Sequence, residues 1–356
     1  MSSLVSPHLP SSATDAALPT THGSINTSLR FDWTMVVLYL SVIGGGFLDA
    51  WAHSHGRVDQ TFFTPWHAVL YAAFALVALS MTATLLLNRW QGAPWPQALP
   101  AGYSLSLLCV LGFTVGGVGD LIWHELFGIE QGFDALFSPT HLLLTVMMGG
   151  MVTGPLRAAW RRPGRTGGWR QLGPAIFSLT GLVSVFSLLL SASHPFTQII
   201  ASGSNGLFTN RAGEVVGVLS ILITTALYLA PILIAVRRWT LPPGALTVIW
   251  SINTIVMTVT YWQMGNSLLL PVLLVAAIAL IDWLLYYLRP SATRPDALRL
   301  FAFAAPVLLF STYFAALLLT SGIQWTIHLW TGATFLAGVI GWLLSYLVAP
   351  PPLPSE

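Results

Sequence analysis

The chain has 356 residues, of which 55% are hydrophobic and only 7% charged, and its mean hydropathy is +0.74. A water-facing domain carries about 25% charged residues, so this composition excludes a secreted or cytosolic globular enzyme. The net charge of +2 comes from 14 arginines and no lysine, too sparse a set to line a groove for nucleic acid. The predicted class is an all-α, polytopic membrane helical bundle whose main partner is the lipid bilayer.

Residues 1–30 are rich in Ser, Thr, Pro and Ala, with neither an apolar core nor a basic start. They read as a disordered tail and not as a signal peptide. A bilayer core of about 30 Å needs roughly 20 apolar residues per helix. Ten stretches qualify as expected transmembrane helices: 33–53, 65–88, 101–127, 139–158, 174–193, 212–236, 244–262, 266–288, 298–320 and 327–348. Residues 350–356 form a second tail. The basic loop 161–173 divides a four-helix unit, 31–160, from a six-helix unit, 174–349.

Arginine bias sets the orientation. With both termini cytoplasmic, twelve arginines fall in inner segments, and only Arg57 and Arg211 in outer loops. A multi-pass protein of the plasma membrane is expected. Seven of the nine histidines (His53, His55, His67, His124, His141, His194 and His328) then map to the outer ends of helices or to outer loops. Ionisable groups within membrane segments are costly, which marks them as functional candidates.

The strongest feature is an internal repeat. Asp49-Ala-Trp-Ala-His53 is followed by Phe63-Thr64-Pro65-Trp66-His67, and Asp120-Leu-Ile-Trp-His124 by Phe137-Ser138-Pro139-Thr140-His141. Each copy reads D-x3-H, then a histidine just after Thr-Pro or Ser-Pro. Positions i and i+4 share a helix face, so Asp49 points with His53 and Asp120 with His124. A hydroxyl residue before Pro starts a helix, placing His67 and His141 in the first turn of the returning helix. Glycines precede both acids, letting neighbouring backbones approach. The candidate metal ligands are therefore Asp49, His53 and His67, and Asp120, His124 and His141. Two imidazoles and a carboxylate suit a transition metal. Copper is the expected ion, with zinc or iron as alternatives. A bis-histidine haem is a further option, but it leaves the repeated aspartates without a role. The one cysteine, Cys109, adds no ligand set.

At these residues the chain resembles the C subunit of particulate methane and ammonia monooxygenases. That family carries D-x3-H followed by D-F-T-P-x-H, and further on N-x3-H followed by P-x-H. Asp49, His53 and Thr64-Pro65-Trp66-His67 match the first site, which in the family binds copper. His124 and Pro139-Thr140-His141 match the second. The resemblance covers residues 31–160 and implies a copper-dependent membrane monooxygenase subunit, an oxidoreductase that oxidises a small apolar substrate with O2. Its implied partners are further membrane or periplasmic subunits, or a second copy of the chain. Asp120 stands where the family usually has Asn, the second loop is longer, and the last six helices have no counterpart there.

Other residues are weaker candidates. His55, Glu130 and Asp134 lie close enough in sequence to support the ligands. His194, Glu214 and His328 share one depth and form a possible third site. Asp282 is expected to pair with Arg289. Two other readings stay open: a protein that transports or handles metal, and a non-catalytic sensor or structural module whose histidines titrate near neutral pH.

Overall fold

A computed structural model describes residues 28–57, 61–128, 136–203, 211–261 and 267–351. Most of the two tails, and both Glu130 and Asp134, lie outside these residues. The described chain is an all-α bundle. Its elements are α1 (Leu29–Ser54), α2 (Pro65–Trp90), α3 (Ser104–Phe127), α4 (Pro139–Val152), α5 (Gly154–Arg161) and α6 (Trp169–Leu189). They continue with the single turn α7 (Pro195–Gln198), then α8 (Arg211–Arg238), α9 (Ala245–Thr260), α10 (Leu269–Leu288), α11 (Pro295–Leu319) and α12 (Ile327–Val348). Among the described residues nine helices are long and apolar enough to cross a membrane, α4 and α5 counting as one. The tenth expected span is α9, whose 16 residues give about 24 Å of helix.

Local chemistry explains where the helices begin. Ser28, Thr64, Ser138 and Thr326 each accept a hydrogen bond from a first-turn N–H, capping α1, α2, α4 and α12. Pro65, Pro139 and Pro295 hold the first helical position, where no N–H is needed. Proline within a helix frees the carbonyl four residues earlier, and two such carbonyls are used in packing. Pro174 lies inside α6, and the Arg170 carbonyl it leaves open accepts the Trp33 indole N–H at 3.3 Å. Pro306 lies inside α11, and a Cβ at Gly341 of α12 would fall on the Ala302 carbonyl oxygen. Glycine at 341 is what lets α12 lie against that backbone.

Two apolar cores fill the bundle. One gathers Met35, Tyr39, Phe47, Phe74, Phe113 and Met148 among the first four long helices. The other gathers residues of α6 and α8 to α12, including Tyr228, Trp250, Phe301 and Phe310. Helix α6 lies between them, packing on α1, α4 and α5 on one side and on α8 and α9 on the other. Leucines and valines such as Leu76, Leu79, Leu108, Leu111 and Val115 stay exposed on the outer faces of α2 and α3. An apolar surface of that extent requires lipid as solvent.

The arginine-rich end is fastened by a buried ionic group. Asp32, in the first turn of α1, is fully buried and accepts from the Tyr103 hydroxyl at 2.7 Å and from the Arg162 guanidinium. Burial and the Asp32 carboxylate push the Tyr103 phenol far above its ordinary range. Arg162 is thus a structural partner as well as an orientation signal.

Candidate metal sites

The two repeats fold into two hairpins, α1–α2 and α3–α4, with their histidine-bearing ends side by side. The Thr64 hydroxyl accepts the His67 N–H at 3.1 Å, and the Ser138 hydroxyl accepts the His141 N–H at 3.4 Å. Each returning histidine is therefore fixed in the first turn, level with the Asp and His that end the outgoing helix. Close approach of α1 to α2 depends on Gly45, where a Cβ would come within 2.7 Å of the Leu70 Cα.

The structure brings Asp49, His53 and His67 together in one group, and Asp120, His124 and His141 in another. Within each group one donor atom per residue lies within 4.8 Å of the others. Asp49 places one oxygen 3.4 Å from His67 Nε2 and the other 3.7 Å from His53 Nε2. Asp120 repeats this, at 3.4 Å from His141 Nε2 and 3.6 Å from His124 Nε2. These separations exceed the 2.7–2.9 Å typical of a charge-assisted N–H···O contact. Two ligands held about 2.0–2.2 Å from one tetrahedral ion sit roughly 3.3–3.6 Å apart, the spacing seen here.

In two of the four histidines the far ring nitrogen meets a backbone carbonyl. His67 Nδ1 donates to the Phe62 carbonyl at 2.6 Å, and His124 Nδ1 to the Gly128 carbonyl at 3.3 Å. A carbonyl only accepts, so Nδ1 carries the proton in both rings, and in the neutral imidazole Nε2 then turns a lone pair toward the carboxylate. Asp49 Oδ1 is buried and accepts no hydrogen bond from the described residues. With the imidazoles neutral, lone pairs face a carboxylate across a gap that a cation, a metal ion or a proton, would fill. Each group can hold a metal ion.

A thin aromatic partition separates the groups. The Phe62 ring lies 4.9 Å from His67 and 6.0 Å from His124, centroid to centroid. Tyr71 packs on Phe62 and His67, and a Cβ at Gly117 of α3 would meet its ring at 3.0 Å. Sequence reasoning missed both aromatics. The available signal was the Phe62-Phe63 pair directly ahead of the helix cap.

The remaining candidates fall elsewhere. His55 stacks on Trp51 and its Nδ1 lies 2.8 Å from the Trp51 carbonyl, outside the ligand group. His194, Glu214 and His328 are not brought together: among the described residues only the two triads form such a group. His194 is buried against Phe196 and Tyr228, whereas His328 is exposed at the start of α12. Depth along a helix does not fix the direction a side chain faces: His194 is the buried cap of α7, whereas His328 stays exposed. Asp282 likewise does not pair with Arg289. Its oxygens accept the N–H groups of Gly244, Leu246 and Thr247 at 2.7, 2.8 and 3.3 Å, capping α9.

Compared with protein-family models, with curated proteins and with solved structures, the chain finds no match.

Proposed function

We propose that the protein is a copper-dependent membrane oxidoreductase, with two histidine–aspartate centres at one end of the bundle. The observation that supports metal binding is the repeated placement of two Nε2 atoms 3.4–3.7 Å from one carboxylate, with the Nδ1 of His67 and of His124 engaged by a backbone carbonyl. Three protein ligands leave further positions open, as a reactive centre needs. Copper is favoured because imidazole-rich sites bind it most tightly among the first-row divalent ions. The resemblance of Asp49, His53, His67, His124 and His141 to a copper-binding monooxygenase subunit points the same way.

In this reading bound copper supplies the one-electron chemistry that lets O2 react with a closed-shell apolar molecule. An oxygenase turnover consumes O2, two electrons and two protons, placing one oxygen atom in the product and one in water. The electrons come from an external quinol-class reductant. The chain's own residues do the rest. His53, His67, His124 and His141 hold the ions, Asp49 and Asp120 offset their charge, and Phe62 with Tyr71 excludes water between the centres. An apolar substrate reaches this end through lipid.

The test is elemental analysis of detergent-purified protein after loading with copper, zinc or iron. Wild type is expected to retain about two coppers, and H53A/H67A and H124A/H141A about one each. No retained metal in folded wild type would overturn the metal reading. Two retained coppers without O2 uptake in the presence of a quinol and small hydrocarbons would overturn the oxidoreductase reading alone.

A further inference from the structure

At the opposite end of the bundle three loops border a half-open cavity of about 980 Å3. They are the 162–168 segment before α6, the 239–244 segment between α8 and α9, and the 289–294 segment between α10 and α11. Three arginines line the cavity: Arg165, Arg289 and Arg294. None of them takes part in an ion pair among the described residues. The acid among the lining residues, Asp282, is already engaged by the first N–H groups of α9. The cavity therefore holds an excess of positive charge that the described residues do not neutralise.

The loops are tied together. Thr240 N–H donates to the Arg165 carbonyl at 2.9 Å, and the Trp169 indole donates to the Pro243 carbonyl at 3.1 Å. Arg238 donates to the carbonyls of Gly164 and Arg162 at 2.8 and 2.7 Å, pinning the first loop to the end of α8. Arg289 closes α10 with a left-handed backbone, φ +48°, a position that favours glycine. Its guanidinium stands 5.6 Å from the centre of the Tyr286 ring. Hydroxyls of Ser291 and Thr293 lie beside it in the same lining, while Val236, Leu241, Leu285 and Tyr286 supply apolar wall. A cationic rim over apolar wall, at the arginine-rich end of a membrane bundle, matches an amphiphile with a phosphate head.

We propose that this cavity binds the phosphate headgroup of an anionic phospholipid. Guanidinium forks from Arg289 and Arg294 contact the phosphate oxygens, Arg165 closes the opposite side, and the acyl chains run along the apolar wall. The site is independent of the metal centres, and its failure would leave them untouched.

The experiment is a thermal-shift and lipid-retention measurement on delipidated, detergent-purified full-length protein. The probes are phosphatidylglycerol, phosphatidylcholine and inorganic phosphate. Phosphatidylglycerol is expected to raise the melting temperature of wild type and to remain bound at about one per chain, with little response to phosphatidylcholine. In R289Q/R294Q the phosphatidylglycerol affinity should fall by about tenfold or more, while the exposed-arginine control R30Q keeps it. If the double variant does not fold, R165Q carries the same test. An equal response to inorganic phosphate would overturn the lipid source in favour of a soluble phosphate. An equal loss of affinity in R30Q, or no response in wild type, would overturn the site.

Discussion

The two triads share one backbone frame but differ in how their carboxylates are held. Asp120 accepts the Thr140 hydroxyl at 2.8 Å, and its side chain is only 3% exposed, as is that of His124 at 4%. Asp49 is 18% exposed beside a His53 that is 29% exposed, and one of its oxygens accepts no hydrogen bond from the described residues. The difference traces to the residue between Pro and His in each repeat. In the second hairpin it is Thr140, which reaches the carboxylate; in the first it is Trp66, which donates instead to the Arg57 carbonyl at 2.9 Å. A duplicated motif has thus produced one enclosed carboxylate fixed by a hydroxyl and one more accessible carboxylate, while each triad keeps one partly exposed histidine, His53 at 29% and His141 at 28%. A carboxylate held by a hydroxyl presents its oxygens in one geometry, so the second triad is expected to retain an ion more firmly than the first.

Removing ligands should break the comparison most severely. H67A or H124A leaves a carboxylate facing a single imidazole, and each is expected to abolish metal retention in its own triad while the other keeps its ion. Metal analysis of the purified variants reads this directly. The next largest effect concerns Thr140. T140V should weaken the second centre about 10–100-fold, as loss of a group orienting a ligand commonly does. Competition with a Cu(I) chelator would show it, and the first centre should keep its affinity. W66T is the converse experiment, expected to slow metal loss from the first centre by supplying the missing donor. If T140V changes both centres alike, the hydroxyl does not distinguish them.

Removing the helix caps should act on both hairpins equally. T64A and S138A each delete a side-chain acceptor for a first-turn N–H, at about 1 kcal/mol. Similar small drops in melting temperature are expected, and a much larger drop in one would reveal a role beyond capping. The smallest effect on the two centres belongs to a histidine outside the triads. His194 is wholly buried, and burial lowers its pKa from 6.5 to about 3. Between these values the unfolded chain binds the proton and the folded chain does not. Its contribution to stability is thus complete above about pH 6.5 and declines as the pH falls toward 3. H194F should flatten that part of the stability profile, measured by thermal unfolding in detergent.

Legibility in the sequence followed the range of the interactions. The expected starts at 65, 139 and 327 coincide with α2, α4 and α12, because a capping hydroxyl and, in two cases, a proline mark each one. Helix α6 begins at Trp169 and not at 174: the proline taken as a start is an interior residue whose orphaned carbonyl is satisfied from α1. The six clustered residues of the two triads were readable because i,i+4 spacing and a first-turn position are local properties. The Asp32–Arg162 pair, the capping of α9 by Asp282 and the dispersal of His194, Glu214 and His328 depend on how helices rotate against one another. A single sequence carries no periodic mark of that rotation.

The buried Asp32 also sets an order of assembly. Its hydroxyl partner, Tyr103, is made 71 positions later, and its cationic partner, Arg162, 130 positions later. At a synthesis rate of about 5–20 residues per second, α1 waits roughly ten seconds for its counter-charge. Until then its carboxyl group must stay in water or take up a proton, since an unpaired charge is costly in hydrocarbon. The first helix made therefore takes its final seat only once the chain through α5 has arrived.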